Sequence, residues 1–222
     1  MELIEYPDAE MMMMQLADKL AGEISRSLSS HDRVSFVVPG GSTPGPIFDS
    51  LSGASLDWDR VRVMLTDERL VPADHERSNE RLVRERLLTD KASAAQFVRL
   101  VPDGEIDIDT LLEERLRPEL PISILLLGMG ADMHCASLFP GSPELEAALS
   151  ADAPALMQIE APGGLEPRVT LTMPVLRDAV SVHVVITGTE KREALDRARK
   201  LDPKEAPIAA ILSDATVHWA KE

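Results

Sequence analysis

The run from Ile122 to Leu127, ISILLL, has a single serine for polar relief and is followed at once by Gly128 and Gly130. An apolar stretch this short and continuous suits a strand buried on both faces of a parallel sheet, which in turn requires helices to cover those faces. The glycines let the backbone turn sharply and approach a ligand closely. Directly after them come a carboxylate, an imidazole and a thiol: Asp132, His134 and Cys135. Ligands of open α/β sheets bind beyond the carboxyl ends of the strands, so this turn is the expected place for chemistry. An isolated histidine after a strand is more often a hydrogen-bonded structural residue than a catalyst, and the local pattern by itself leaves both roles open for His134.

The rest of the chain repeats the same unit of strand, Gly-rich loop and helix. Asp8 is placed to cap a helix reaching about Ser29, because Met12, Leu16, Leu20, Ile24 and Leu28 recur every fourth residue. The methionine run Met11 to Met14 lies within it and is expected to fill core. Val34 to Val38 is a buried strand ending in PGGSTPG, where Gly40, Gly41, Ser42 and Thr43 precede a helix starting near Pro44 or Pro46. Small residues at such a turn leave backbone N–H groups free to hold a phosphate, which the helix dipole also favours. Neither the dinucleotide fingerprint nor the Walker A spacing is present, so neither NAD nor ATP is expected.

Val61 to Thr66 is a strand delivering Asp67, Glu68 and Arg69 to the same edge, and Ser78 caps the next helix. Phe97 to Val101 reads as a strand, and Asp107 to Arg117 as a helix stopped by Pro118. Ser142 and Pro143 open a helix over Glu144 to Leu149, Ala153 to Gly164 is irregular, and Arg168 to Thr172 is strand-like. Val182 to Thr187 runs into a helix whose first turn holds Lys191, a position where a cation is disfavoured unless an anion is also bound. A short helix near Pro207 to Ile211 and a last strand, Thr216 to Trp219, complete the chain, with His218 expected to be structural.

Charge narrows the partners. With 38 acidic against 23 basic side chains, the net charge of −15 speaks against nucleic acid or an anionic membrane as partner, because either would need a basic face. An anionic small molecule must then be held by a local cluster of Arg, Lys and backbone N–H groups. The single cysteine and the absence of a signal-like opening point to a reducing cytoplasm, and no apolar run approaches the ~20 residues of a membrane span. Asp132 and His134 are too few to hold a metal, and no second cluster has metal-site spacing. The 222 residues suit one α/β domain, residues 1–222, as a monomer or homodimer.

The central stretch, GMGADMHCASLFPGSP, resembles the GxDGHTASLFPGSP signature of 6-phosphogluconolactonases. It matches at Gly130, Asp132, His134 and every residue from Ala136 to Pro143, and departs at Met133 for Gly and Cys135 for Thr. Further blocks resemble the same family: GGSTP at Gly40 to Pro44, TDERLVP with SNERLVRERLL from Thr66 to Leu88, PRVTLTMPVL around Arg168, and GTEK ending at Lys191. The resemblance implies a Rossmann-like three-layer α/β fold, with a mainly parallel central sheet and helices on both faces. It implies hydrolysis of 6-phospho-D-glucono-1,5-lactone in the oxidative pentose phosphate pathway, without metal or cofactor. On this basis Gly40, Gly41, Ser42, Thr43, Arg69, Arg168 and Lys191 are expected to hold the phosphorylated sugar lactone. His134 is the expected general base, oriented by Asp132 or Asp67. A glucosamine-6-phosphate deaminase-type isomerase, or a non-catalytic sugar-phosphate sensor, are the alternatives. The deaminases carry an NEPG-like sequence where this chain has Phe139 to Ser142, and a sensor needs a DNA-binding module this acidic chain lacks.

Overall fold

The computed structural model describes residues 1–101 and 107–221. Among the described residues ten strands are interspersed with helices: β1 Glu2–Tyr6, α1 Ala9–Leu28, β2 Val34–Val38, α2 Gly45–Ser52, β3 Val61–Leu65, β4 Asp67–Arg69, α3 Asn79–Arg86, β5 Gln96–Val98, α4 Ile108–Leu111, β6 Ile124–Gly128, α5 Leu145–Leu149, β7 Leu156–Ile159, β8 Arg168–Leu171, α6 Met173–Arg177, β9 Ser181–Thr187, α7 Thr189–Ala198 and β10 Thr216–Ala220. Seven strands form a parallel sheet in the order β1-β10-β9-β6-β2-β3-β5. The expected α/β fold with a mainly parallel central sheet is the one observed.

β6 sits near the middle of this sheet, and Ile124 to Leu127 are all at most 1% exposed, as a strand covered on both faces must be. Each such side chain contributes roughly 1.5–3 kcal/mol through the apolar surface it removes from water. From β2 the chain moves through α2 to β3 on one side, whereas from β6 it moves to β9 and β10 on the other. Right-handed crossovers in opposite directions put the connecting helices on opposite faces. The reversal leaves a crevice between the carboxyl ends of β2 and β6, where ligands of such sheets bind.

Helix α1 starts where Asp8 accepts a hydrogen bond from the Met11 N–H at 2.7 Å, and it buries Met12, Met13, Leu16, Leu20, Ile24 and Leu28. Met11 and Met14 face outward, so the methionine run only half fills core.

Five features depart from the sequence expectations. Glu2–Tyr6 is an edge strand, which five residues with two glutamates do not announce. The stretch expected to be irregular, Ala153 to Gly164, contains β7. Asp67–Arg69 and Arg168–Leu171 do not extend the parallel sheet: they pair antiparallel with each other, and Arg168–Leu171 also pairs antiparallel with β7, in a second sheet ordered β4-β8-β7. The fifth strand is also shorter than Phe97 to Val101, and the helix from Asp107 runs as α4, then a π turn over Leu112–Leu116, then a 3-10 turn over Arg117–Glu119.

Candidate active site

A cleft of about 250 Å³ opens at the crevice between β2 and β6. The segments at the carboxyl ends of four strands of the main sheet line it: Gly40 to Thr43 in the loop after β2, Asp67 and Arg69 in β4 just after β3, Gly128 at the end of β6 with Met129, Gly130 and His134 beyond it, and Lys191 in α7 after β9. The small sheet adds Arg168, and α3 adds Asn79. Every residue expected to act in the site lines this cleft except Asp132, which stands behind His134.

The turn from Gly130 to His134 is closed by two backbone hydrogen bonds, Gly130 N–H to His134 O at 3.0 Å and Met133 N–H to Gly130 O at 2.9 Å. Asp132 Oδ1 lies 2.6 Å from His134 Nδ1. A carboxylate oxygen accepts, so Nδ1 carries the proton and Nε2 keeps its lone pair. This hydrogen bond holds the Asp132 carboxyl below the usual carboxylate range, more than its partial burial raises it. The pair packs across the backbone of Gly130, where a Cβ would come within 2.2 Å of Nδ1 and 2.3 Å of Asp132 Oδ1. Gly130 is therefore required for space. On the far side the imidazole meets the Phe139 ring, with centroids 4.8 Å apart.

Met133, which replaces the glycine of the motif, has φ of +69°. The position does adopt the left-handed conformation that glycine takes without penalty, and here a methionine takes it.

Asp67 plays a different part from Asp132. Its Oδ1 accepts from the Thr66 hydroxyl at 2.8 Å, its Oδ2 accepts from the Ser137 hydroxyl at 2.6 Å, and Arg168 Nη1 lies 3.7 Å from Oδ2. The carboxylate is 6% exposed and is occupied by these partners, so the contact to His134 belongs to Asp132. Asp67 instead ties the β6 loop to β8.

Arg69 and Arg168 are direct cross-strand partners in the β4-β8 pair. Like charges so placed repel, and that arrangement is stabilised when an anion lies between them. Arg168 is only 7% exposed, not the solvated charge an arginine at a strand start usually is. Burial pushes its guanidinium below the usual arginine range, opposed by Asp67 and reinforced by Arg69 and Arg77. Nε of both Arg69 and Arg168 is buried without a hydrogen-bond partner. Lys191 enters from the first turn of α7, whose N-cap Gly188 has φ of +86°.

Cys135 lies in an isolated antiparallel bridge to Leu138. The thiol is fully buried, and burial, with the charge of Asp67, pushes it up to about 12. It cannot supply a thiolate nucleophile. Among the described residues no group of three or more His, Cys, Asp or Glu is arranged to hold a metal ion.

Sequence reasoning missed Ser137 as the anchor of Asp67, Phe139 as the wall behind His134, and Asn79. The first two fall inside the recognised motif, but only the fold shows what they touch. Asn79 follows the helix cap Ser78 and could not be separated from it by pattern.

A family model described as Glucosamine-6-phosphate isomerases/6-phosphogluconolactonase matches residues 7–219. The chain is 38% identical over 229 residues to a 6-phosphogluconolactonase of Rhizobium meliloti strain 1021, covering 99% of this chain and 98% of that protein. It is 38% identical over 214 residues to one of Caulobacter vibrioides, covering 92% and 91%. The crystal structure of a 6-phosphogluconolactonase from Shewanella baltica OS155 superimposes with a TM-score of 0.94 at 33% identity, covering 99% of this chain and 97% of that one. Matched in sequence and in backbone fold along nearly its whole length, the chain belongs to the glucosamine-6-phosphate isomerase/6-phosphogluconolactonase family.

Proposed function

We propose that this protein hydrolyses 6-phospho-D-glucono-1,5-lactone to 6-phospho-D-gluconate, the lactone-opening step of the oxidative pentose phosphate pathway. The observation that carries this is the sharing of one cleft by a histidine with a free Nε2 and a grip of two arginines, a lysine and a Gly-Ser-Thr loop. The phosphate is held by Ser42, Thr43, the N–H groups of Gly40 and Gly41, Arg69, Arg168 and Lys191. In this reading the lactone carbonyl faces His134.

His134 Nε2 takes a proton from water as its oxygen attacks C1, and returns it to the ring oxygen as the C1–O bond breaks. Asp132 fixes the tautomer and stabilises the imidazolium formed in between, as orienting carboxylates do. The oxyanion donors in this reading are backbone N–H groups of the Gly128 to Met133 turn other than those of Gly130 and Met133, which close the turn itself. A lactone is an activated ester, so water and a positioned base suffice and no acyl-enzyme is needed. We read residues 1–222 as one sugar-phosphate-binding unit acting on a small molecule, in a reducing cytoplasm.

The test is consumption of freshly made 6-phosphogluconolactone measured against its spontaneous hydrolysis, beside the same lactone without phosphate. Acceleration confined to the phosphorylated lactone is the expected result. Release of ammonia from glucosamine 6-phosphate, with no acceleration of lactone opening, would assign the chain to the isomerase side of the family.

A further inference from the structure

Glu68 is a buried carboxylate that the proposed reaction does not use. It is 2% exposed, yet four donors converge on it: the Arg69 N–H at 2.7 Å and the Asn79 N–H at 2.9 Å on Oε1, and the Glu80 N–H at 2.6 Å and the Ser78 hydroxyl at 3.0 Å on Oε2. A carboxylate at the N-terminus of α3 satisfies N–H groups that the helix leaves open and complements its dipole. It also pins the first turn of that helix to β4.

What the pin fixes is Asn79. Its side chain donates from Nδ2 to the Asp67 carbonyl at 2.9 Å and accepts on Oδ1 from Arg69 Nη1 at 3.2 Å. The same amide fills the notch left by Gly40, where a Cβ would lie 1.9 Å from Asn79 Oδ1 and 2.2 Å from its Cγ. Gly40 is absent from the residues with positive φ, so its missing side chain serves space and not backbone conformation. One amide therefore touches the phosphate loop, β4 and the guanidinium of Arg69 together.

We propose that Asn79, held by Glu68, is a positioning residue for the anion grip: it sets Arg69 and the spacing between the phosphate loop and β4, while the step at His134 does not depend on it. This rests on the reading of the cleft as a phosphate site. A hydrogen bond to a charged group is strong enough for its loss to be read in affinity.

Asn79→Ala should raise KM for 6-phosphogluconolactone about tenfold and leave kcat within about threefold. Asn79→Asp places a carboxylate against Arg69 and should raise KM further; being near-isosteric, it also keeps the test available if the alanine variant does not fold. Gly40→Ala should give the same KM defect by displacing the amide. In the Asn79→Ala background it should add little, because the atoms it would strike are gone. Additive effects of the two substitutions, a KM within about twofold of wild type, or a fall in kcat at unchanged KM would each overturn the proposal. Titration of the wild type with 6-phosphogluconate and with gluconate separates the two levels. No preference for the phosphorylated compound removes the phosphate reading and the proposal with it, whereas a clear preference with unchanged KM in the Asn79 variants removes the proposal alone.

Discussion

Asp132 Oδ1 and His134 Nδ1 lie 2.6 Å apart across the backbone of Gly130, and this contact leaves Nε2 as the nitrogen with a lone pair on an imidazole that lines the cleft. Asp132→Asn can present an amide N–H to Nδ1 and so favour the tautomer with its proton on Nε2, which is useless as a base. Expected is a fall in kcat on the order of 10²-fold or more with KM nearly unchanged. Wild-type kcat in a verified Asp132→Asn protein would show that Asp132 does not set the tautomer.

Met133 occupies a left-handed backbone position with φ of +69° and packs partly against the core. Glycine there would relieve about 1 kcal/mol of steric cost, but would lose packing and add freedom to the unfolded chain. Met133→Gly should therefore change stability by less than about 1 kcal/mol, whereas the β-branched Met133→Val should cost about 1–2 kcal/mol more than the glycine variant. Denaturant unfolding of the three proteins checks the order. A valine variant as stable as the glycine variant would show that the loop has shifted out of this conformation.

Acid should weaken the fold through a buried chain on the sheet. The Tyr6 hydroxyl donates to His218 Nδ1 at 2.8 Å, His218 Nε2 lies 3.1 Å from His183 Nδ1, and His183 Nε2 lies 2.9 Å from Glu23 Oε2. Burial, joined by His183 and Lys19, holds His218 down at about 3 from an ordinary 6.5. Burial alone would raise Glu23, but hydrogen bonds from His183 and Ser181, with the charges nearby, bring it down to about 2 from 4.5. Both folded values lie below the unfolded ones, so the unfolded chain binds protons first. The stability is present in full above about pH 6.5, falls as His218 is forced to charge, and falls again for Glu23 below about 4.5. Between these two values the expected slope from His218 approaches about 1.4 kcal/mol per pH unit, and His218→Phe should lose it. Parallel pH dependence in the two proteins would count against this assignment.

The cross-strand pair Arg69 and Arg168 should make the empty site a source of repulsion that an anion relieves. Saturating 6-phosphogluconate, at about 100 times its Kd, should stabilise the wild type by about 2.7 kcal/mol. Lys191→Gln should shift the concentration needed upward by about tenfold, since one charge of the grip is lost. Unchanged affinity in that variant would place the phosphate elsewhere.

Legibility followed the range of the interactions involved. The double-sided burial of Ile124 to Leu127 shows in a short window, and so do the helix caps Asp8 and Ser78, because these signals are local. The motif residues carried His134, Arg168 and Lys191 into view by resemblance. The small antiparallel sheet was not legible, because Asp67–Arg69 and Arg168–Leu171 are too short for a periodic pattern and meet across about 100 residues of chain. Likewise no window could divide the work of Asp67 and Asp132: the difference lies in Ser137 and Thr66, which occupy one carboxylate and leave the other to the imidazole.

The most direct test of the central claim is the rate of 6-phosphogluconolactone opening by His134→Ala, beside the wild type and the spontaneous reaction. Removing the base should lower kcat by about 10²–10⁴-fold, while thermal unfolding and the affinity for 6-phosphogluconate stay near wild type. Turnover close to wild type by a verified, folded His134→Ala protein would contradict the account.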